Sequence, residues 1–110
     1  MLEKLRELGV EVDRILATLN GKQALYEKLV FKFYDMVKKT DLTKENPEEL
    51  YEAIHALKGA SGNLGLTPLF NEYVKILMMI KEGKMELVPE AMQEMQLIQK
   101  QILTCIEEYK

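Results

Sequence analysis

Apolar residues recur at intervals of three and four along almost the whole chain of 110 residues. This spacing places them on one side of an α-helix, which repeats about every 3.6 residues. The alternation of apolar and polar residues that is typical of a half-buried strand is missing. The sequence therefore predicts an all-α protein.

Five helices follow from this periodicity and from the residues that begin and end helices. Asn20-Gly21 suits the left-handed end of a short first helix, and Asn46 with Pro47 suits the start of a long one. Long helices with short loops favour an antiparallel four-helix bundle with a short additional N-terminal helix, all within one domain of residues 1–110. The predicted helices are 12–19, 23–39, 47–65, 67–82 and 88–109.

The apolar side of each long helix is predicted to lie in the core. Cys105, the single cysteine, falls on this side of the last helix and is interpreted as a small buried hydrophobe. In chain order the predicted core residues are Leu25, Leu29, Val30, Phe33, Met36 and Val37; Leu50, Ile54, Leu57, Ser61 and Leu64; Leu69, Tyr73, Ile76, Leu77 and Ile80; and Met92, Met95, Ile98, Ile102, Cys105 or Ile106.

Charge and hydropathy exclude several classes of protein. A formal net charge of -3 argues against a nucleic-acid binder, which would carry a basic stripe to neutralise phosphates. No apolar run of about 18 residues predicts a membrane span, and no charged start with an apolar core predicts a secretory signal. We therefore expect a cytoplasmic monomer.

His55 is the only histidine, and it lies in the helix predicted over residues 47–65. Its position about 100° from Ile54 puts it at the flank of the core stripe, so we expect it to be at least partly exposed. Neutral imidazole is a good nucleophile near pH 7, because its reference pKa is roughly 6.5. Lys58 follows after about one turn, where its ammonium could approach an anion carried by the imidazole. Phosphate is the obvious anion.

Two glycines in this helix need an explanation, because glycine in a helix interior costs about 1 kcal/mol relative to alanine. Gly59 and Gly62 fall within roughly 40° of His55 around the helix, so they would remove side chains from the surface beside it. Such a surface suits docking of another macromolecule better than binding of a small substrate, which a pocket would enclose. The alternative is that these glycines only let two helices pack closely.

The segment His55-Ala-Leu-Lys-Gly-Ala-Ser-Gly-Asn-Leu-Gly65 resembles the histidine-containing phosphotransfer (HPt) domains of phosphorelays. The family pattern of histidine, any residue, leucine, lysine, glycine, small residues and a further glycine is matched throughout. The similarity covers about residues 5–108. One departure is Leu77-Met78, where many members carry a Leu-Glu pair.

This resemblance implies a phosphoryl carrier between aspartates of response-regulator receiver domains. His55 would accept the phosphoryl group on its distal ring nitrogen, Lys58 would stabilise its charge, and Gly59 would leave clearance. Mg²⁺ is expected on the receiver, with no cofactor on this chain. A histidine kinase or hybrid kinase must supply the phosphate, because no ATP-binding motif is present. The expected docking residues are Glu48, Tyr51, Glu52 and Gly62.

Other functions remain open or are disfavoured. A non-catalytic adapter that binds receivers is one alternative, and the phosphoaccepting domain of a chemotaxis-type kinase is another. Glu52-Ala-Ile-His55 has the spacing of di-iron bundles, but such a site needs a second histidine. His55 and Cys105 are too few soft ligands for a structural zinc site. Ser61 projects away from His55 and is interpreted as a small core hydroxyl.

Overall fold

The computed structural model describes residues 1–110 and contains six α-helices without any strand. One turn of 3₁₀-helix, Met85–Leu87, precedes the last helix. The predicted all-α class is confirmed. The helices are α1 (Leu2–Glu7), α2 (Val12–Thr18), α3 (Gln23–Lys39), α4 (Pro47–Asn63), α5 (Thr67–Lys81) and α6 (Val88–Glu107).

The four long helices form a bundle. α4 packs along α5 and α5 along α6, and each pair is joined by a short connection as in antiparallel neighbours. α3 contacts both α4 and α6 and so closes the bundle. The molecule is accordingly elongated, with extents of 42 × 24 × 21 Å. No helix is both long enough and apolar enough to span a membrane.

The ends of α4 have the geometry that the sequence predicts. The Asn46 side chain accepts hydrogen bonds from the backbone N–H groups of Glu48 at 2.9 Å and Glu49 at 3.2 Å, which caps the helix. After Asn63 the chain turns at Gly65, whose φ of +71° lies in the left-handed region that favours glycine. These two ends determine where α4, the helix that carries His55, begins and ends.

The core is one cluster of 25 buried apolar residues. The stripe predicted for α4 is confirmed, since Leu50, Ile54, Leu57 and Leu64 are all buried. Ser61 is buried beside them, and its hydroxyl donates to the Lys58 carbonyl at 2.9 Å. This bond satisfies the hydroxyl within the helix, so a polar residue is tolerated in the core.

Two predictions about helices were wrong. The first concerns the N-terminal region, where one short helix is predicted and two are present. The additional helix, α1, precedes α2 and buries Leu2 and Leu5. A segment of six residues is too short to show a helical period in the sequence. Its position is fixed by packing against α2 and α6.

The second error is the rotation of α3. Tyr26 is fully buried with Val30, Phe33 and Val37, whereas Leu25 is 39% exposed. Tyr26 lies outside the predicted stripe, and its hydroxyl donates to the Leu64 carbonyl at 2.7 Å. A buried phenol is accommodated in the core when its hydroxyl has a hydrogen-bond partner. Five other predicted core residues are only partly buried: Leu29, Met36, Ile80, Met92 and Ile98.

Candidate functional site

His55 stands on the outer side of α4 and is exposed, while its neighbour Ile54 is fully buried. The buried residue holds the helix against the core, and the following position therefore points outward. The ring of Tyr51, one turn earlier, lies nearly parallel to the imidazole, with centroids 6.0 Å apart and an interplanar angle of 16°. The imidazole is thus accessible to another protein and supported on one side by an aromatic ring.

Lys58 lies one turn after His55 and is half-buried. Its ammonium makes no ion pair, although nine ion pairs occur elsewhere in the molecule. A half-buried cation without a partner is able to bind an anion without first breaking a salt bridge. The structure therefore leaves an unpaired lysine one turn after the histidine on α4.

Gly59 and Gly62 have different surroundings. A Cβ atom built on Gly59 would meet no atom within 4 Å, so the surface beside His55 is open there. A Cβ on Gly62 would lie 3.0 Å from Cδ2 and 3.1 Å from Cε2 of Phe70 on α5. Gly62 thus makes room for α5. The alternative that a glycine lets two helices pack closely is confirmed for this residue. Its role in docking stays a prediction.

The remaining predicted docking residues lie on α4 on the N-terminal side of His55. Glu48 and Glu52 are exposed and unpaired, and Tyr51 is half-buried. No group of three or more His, Cys, Asp or Glu side chains has the geometry to hold a metal ion. The side chains around His55 therefore offer an imidazole, a lysine and two separate carboxylates.

The C-terminal end of α4 is tied to the rest of the fold by polar contacts. The Tyr26 hydroxyl donates to the Leu64 carbonyl, and burial raises the pKa of this phenol to about 12. The Gly65 carbonyl accepts from the Glu11 N–H at 2.9 Å. Hydrogen bonds from the Thr67 hydroxyl and from Arg14 lower the pKa of the Glu11 carboxyl. These contacts hold the motif helix in a fixed position in the bundle.

A family model for the Hpt domain matches residues 3–109, which is nearly the whole chain. The chain belongs to the Hpt domain family. Hpt domains act in histidine phosphotransfer within the phosphorelays of two-component signalling, where they interact with receiver domains and kinases. Searches of curated proteins and of solved structures found no match.

Two of the depressions on this Hpt domain lie on opposite sides of α4, the helix that carries His55. One, which we call the notch, has a volume of about 170 Å³ and lies between α4 and α5. The other, which we call the groove, has a volume of about 340 Å³ and lies between α3 and α4. The notch is lined by Tyr51, Lys58, Val74, Leu77, Met78 and Lys81, and the groove by Leu29, Lys32, Phe33, Met36, Ala60, Asn63 and Leu64.

His55 lies on α4 between the two depressions, since Tyr51 and Lys58 are on one side of it around the helix and Ala60 is on the other. Sequence reasoning assigned Leu29 and Met36 to the core, whereas both line the groove with partly exposed side chains. It also missed Lys81, which lies 26 residues from His55 along the chain. No local pattern links two such distant positions, so the depression that Lys81 shares with Lys58 is visible only in the folded chain.

Proposed function

We propose that this Hpt domain carries a phosphoryl group on His55 between the aspartates of response-regulator receiver domains. One observation supports this most directly. His55 is an exposed imidazole on a packed helix, with open space at Gly59 and the unpaired ammonium of Lys58 one turn away. A nucleophile in such a setting is able to reach the active site of another protein without a lid or a conformational change.

The chemistry is a displacement at phosphorus. In the tautomer that carries its proton on Nδ1, the imidazole has a free electron pair on Nε2. Nε2 attacks the phosphorus of the receiver's aspartyl phosphate, an N–P bond forms, the P–O bond to the aspartate breaks, and the carboxylate leaves on the receiver. The reverse reaction, with the aspartate of a second receiver as nucleophile, passes the group on.

The two proteins contribute different parts of the active site in this proposal. The receiver supplies the aspartate and Mg²⁺, because the residues around His55 include no cluster of carboxylates for a metal. This chain supplies the nucleophile, and Lys58 offsets negative charge on the transferred group. The transfer site is therefore complete only in the complex.

Docking would cover the exposed surface on both sides of His55. The groove offers apolar side chains of α3 and α4, including Leu29 and Met36, which a receiver could bury on binding. Glu48, Tyr51, Glu52 and Gly62 on α4 are the other proposed contacts. Receivers would then be discriminated by side chains around the histidine, while the histidine itself does the chemistry.

Phosphotransfer profiling tests the proposal. Receiver domains are phosphorylated, supplied with Mg²⁺ and incubated with this chain, and the label is followed in time. We expect a single label on this chain that is labile in acid and stable in base, as phosphohistidine is. His55→Gln should abolish it, and the free energy of unfolding should change by less than about 0.5 kcal/mol because the side chain fills no space in the core.

Lys100→Gln is the matched control, since it changes an exposed residue of α6, outside the proposed receiver contacts, without removing the nucleophile. It should keep the label. Undiminished labelling of the His55→Gln protein would exclude His55 as the acceptor. If a kinase domain labels this chain and no receiver domain exchanges phosphate with it, transfer between receivers would be contradicted.

A further inference from the structure

We propose that the notch between α4 and α5 receives the phosphoryl group carried by His55, and that Lys81 is a second cation that binds it together with Lys58. This inference rests on the proposed function of His55. It adds a phosphoryl-binding residue from a different helix, outside the segment that resembles the family pattern.

The two lysines share one depression although they belong to different helices. Lys58 on α4 and Lys81 on α5 both line the notch, and neither makes an ion pair or a side-chain hydrogen bond. By contrast, Lys75 on the same helix α5 is paired with Glu72 and Glu94. The fold thus leaves unpaired the two cations that line the notch.

No carboxylate lines the notch to balance these charges. Its other residues are Tyr51, Val74, Leu77 and Met78, none of which carries a charge. Met78 is 56% exposed, so an apolar side chain occupies a position where a carboxylate could easily be accommodated. Two like charges in a shared depression repel each other, and an anion bound between them relieves that repulsion. The notch is therefore suited to an anion.

A phosphoryl group on His55 is an anion of suitable charge and position. It carries up to two negative charges near neutral pH and has three acceptor oxygens. His55 does not itself line the notch, but Tyr51 and Lys58, which flank it on α4 by one turn each way, both do. A phosphoryl group that extends from the imidazole is therefore expected to reach the notch. Stacking against Tyr51 holds the imidazole next to the notch. The nearest carboxylates on α4, those of Glu48 and Glu52, lie outside its lining.

The test uses phosphoramidate, a small phosphoryl donor, so that no receiver is involved. The imidazole of His55 attacks its phosphorus, the P–N bond of phosphoramidate breaks, and ammonia leaves. Two quantities are then measured on the phosphorylated chain: the half-life of phosphohistidine, and the pKa of its phosphoryl group from the ³¹P chemical shift across pH. The second reports cations next to the phosphoryl oxygens and would not respond to a purely structural role.

Lys81→Ala should shorten the half-life about two- to fivefold and raise the phosphoryl pKa, because a cation that favours the dianion is removed. Met78→Glu should change both quantities in the same direction by adding a carboxylate to the notch. Lys81→Arg should retain the parent values. Lys100→Ala is the matched control, since Lys100 is an exposed, unpaired lysine on α6, which does not line the notch.

Equal values for the Lys81→Ala and Lys100→Ala proteins, with Lys58→Ala clearly altered, would overturn the role of Lys81 while leaving that of His55 intact. If phosphoramidate does not label His55, phosphohistidine is made with a phosphorylated receiver and Mg²⁺ instead, and absence of a label from either donor would overturn both. A third outcome separates the two proposals: phosphoramidate labels His55 and Lys81→Ala changes the phosphoryl pKa, but no receiver exchanges phosphate with the chain. The notch would then be supported as the phosphoryl-binding site, and the proposed transfer between receivers would be wrong.

Discussion

The middle of α4 and its C-terminal end use the same residue type for opposite purposes. At Gly59 the missing side chain leaves open space beside His55, whereas Gly62 and Gly65 are surrounded by side chains of α5 and α2 and by the backbone of Glu11. The open segment is available to a partner, and the packed end keeps that segment in place. A glycine-rich motif on one helix thus serves two functions, which substitutions should separate.

Gly65→Ala should produce the largest effect and should act on stability alone. The φ of +71° is strained for alanine, and its Cβ would lie 2.8 Å from Cγ1 of Ile15 and 3.1 Å from the Glu11 carbonyl oxygen. Together we expect a loss of roughly 2–5 kcal/mol in the free energy of unfolding. Urea denaturation measures it. A Gly65→Ala protein as stable as the parent would show that the end of α4 is not tightly packed.

Tyr26→Phe should weaken the same end by a smaller amount. The Leu64 carbonyl loses its donor, which costs about 1–2 kcal/mol. The pH dependence should change too. In the folded parent the pKa of Tyr26 is raised to about 12, so the phenol stays protonated while an unfolded chain ionises near pH 10, and stability is lost as pH rises from about 10 towards 12.

In the Tyr26→Phe protein this alkaline loss should be smaller. It should not vanish, because burial also raises the pKa of Tyr73. Unfolding free energies at pH 8, 10 and 11 for both proteins make the comparison. An identical alkaline decline in the two proteins would mean that Tyr26 ionises as readily in the folded chain as in the unfolded one.

Gly59→Gln should separate activity from stability at the open segment. A Cβ atom at this position meets no atom within 4 Å and glutamine favours the helix, so the melting temperature should stay the same or rise. Its side chain would stand beside His55 and obstruct the receiver, and transfer should fall about tenfold, equivalent to about 1.4 kcal/mol. Should the variant melt far below the parent, with transfer reduced only in proportion to the folded fraction, Gly59 would serve packing after all.

The smallest expected effect compares alanine at the two glycines that lie on the same side of α4. Gly59→Ala should stabilise the protein by up to about 1 kcal/mol through helix propensity. Gly62→Ala should lose that gain, because its Cβ pushes against the Phe70 ring. Thermal melts give both values. In a Phe70→Leu background the Gly62→Ala change should become as favourable as Gly59→Ala. If it does not, the Phe70 ring is not what makes alanine unfavourable at position 62.

Much of the fold could be predicted because it rests on local signals. The bounds of α3 were predicted to the residue, and the Asn46 cap and the Gly65 turn were expected from residue types. The buried face of α3 was not fully predicted, because both Leu25 and Tyr26 are plausible core residues. The choice between them depends on the Leu64 carbonyl that the Tyr26 hydroxyl reaches. For α1, six residues give no period to recognise, and packing alone fixes that helix.

The candidate site divides in the same way. The outward position of His55, with Lys58 one turn away, could be predicted from the sequence, because His55 follows an isoleucine of the buried stripe on a helix. The packing of the other helices around α4 leaves open space at Gly59, puts Phe70 against Gly62 and brings Lys81 into the same notch as Lys58. The reason is physical: helical periodicity is a property of one segment, whereas the space around a side chain is set by residues that other helices bring beside it.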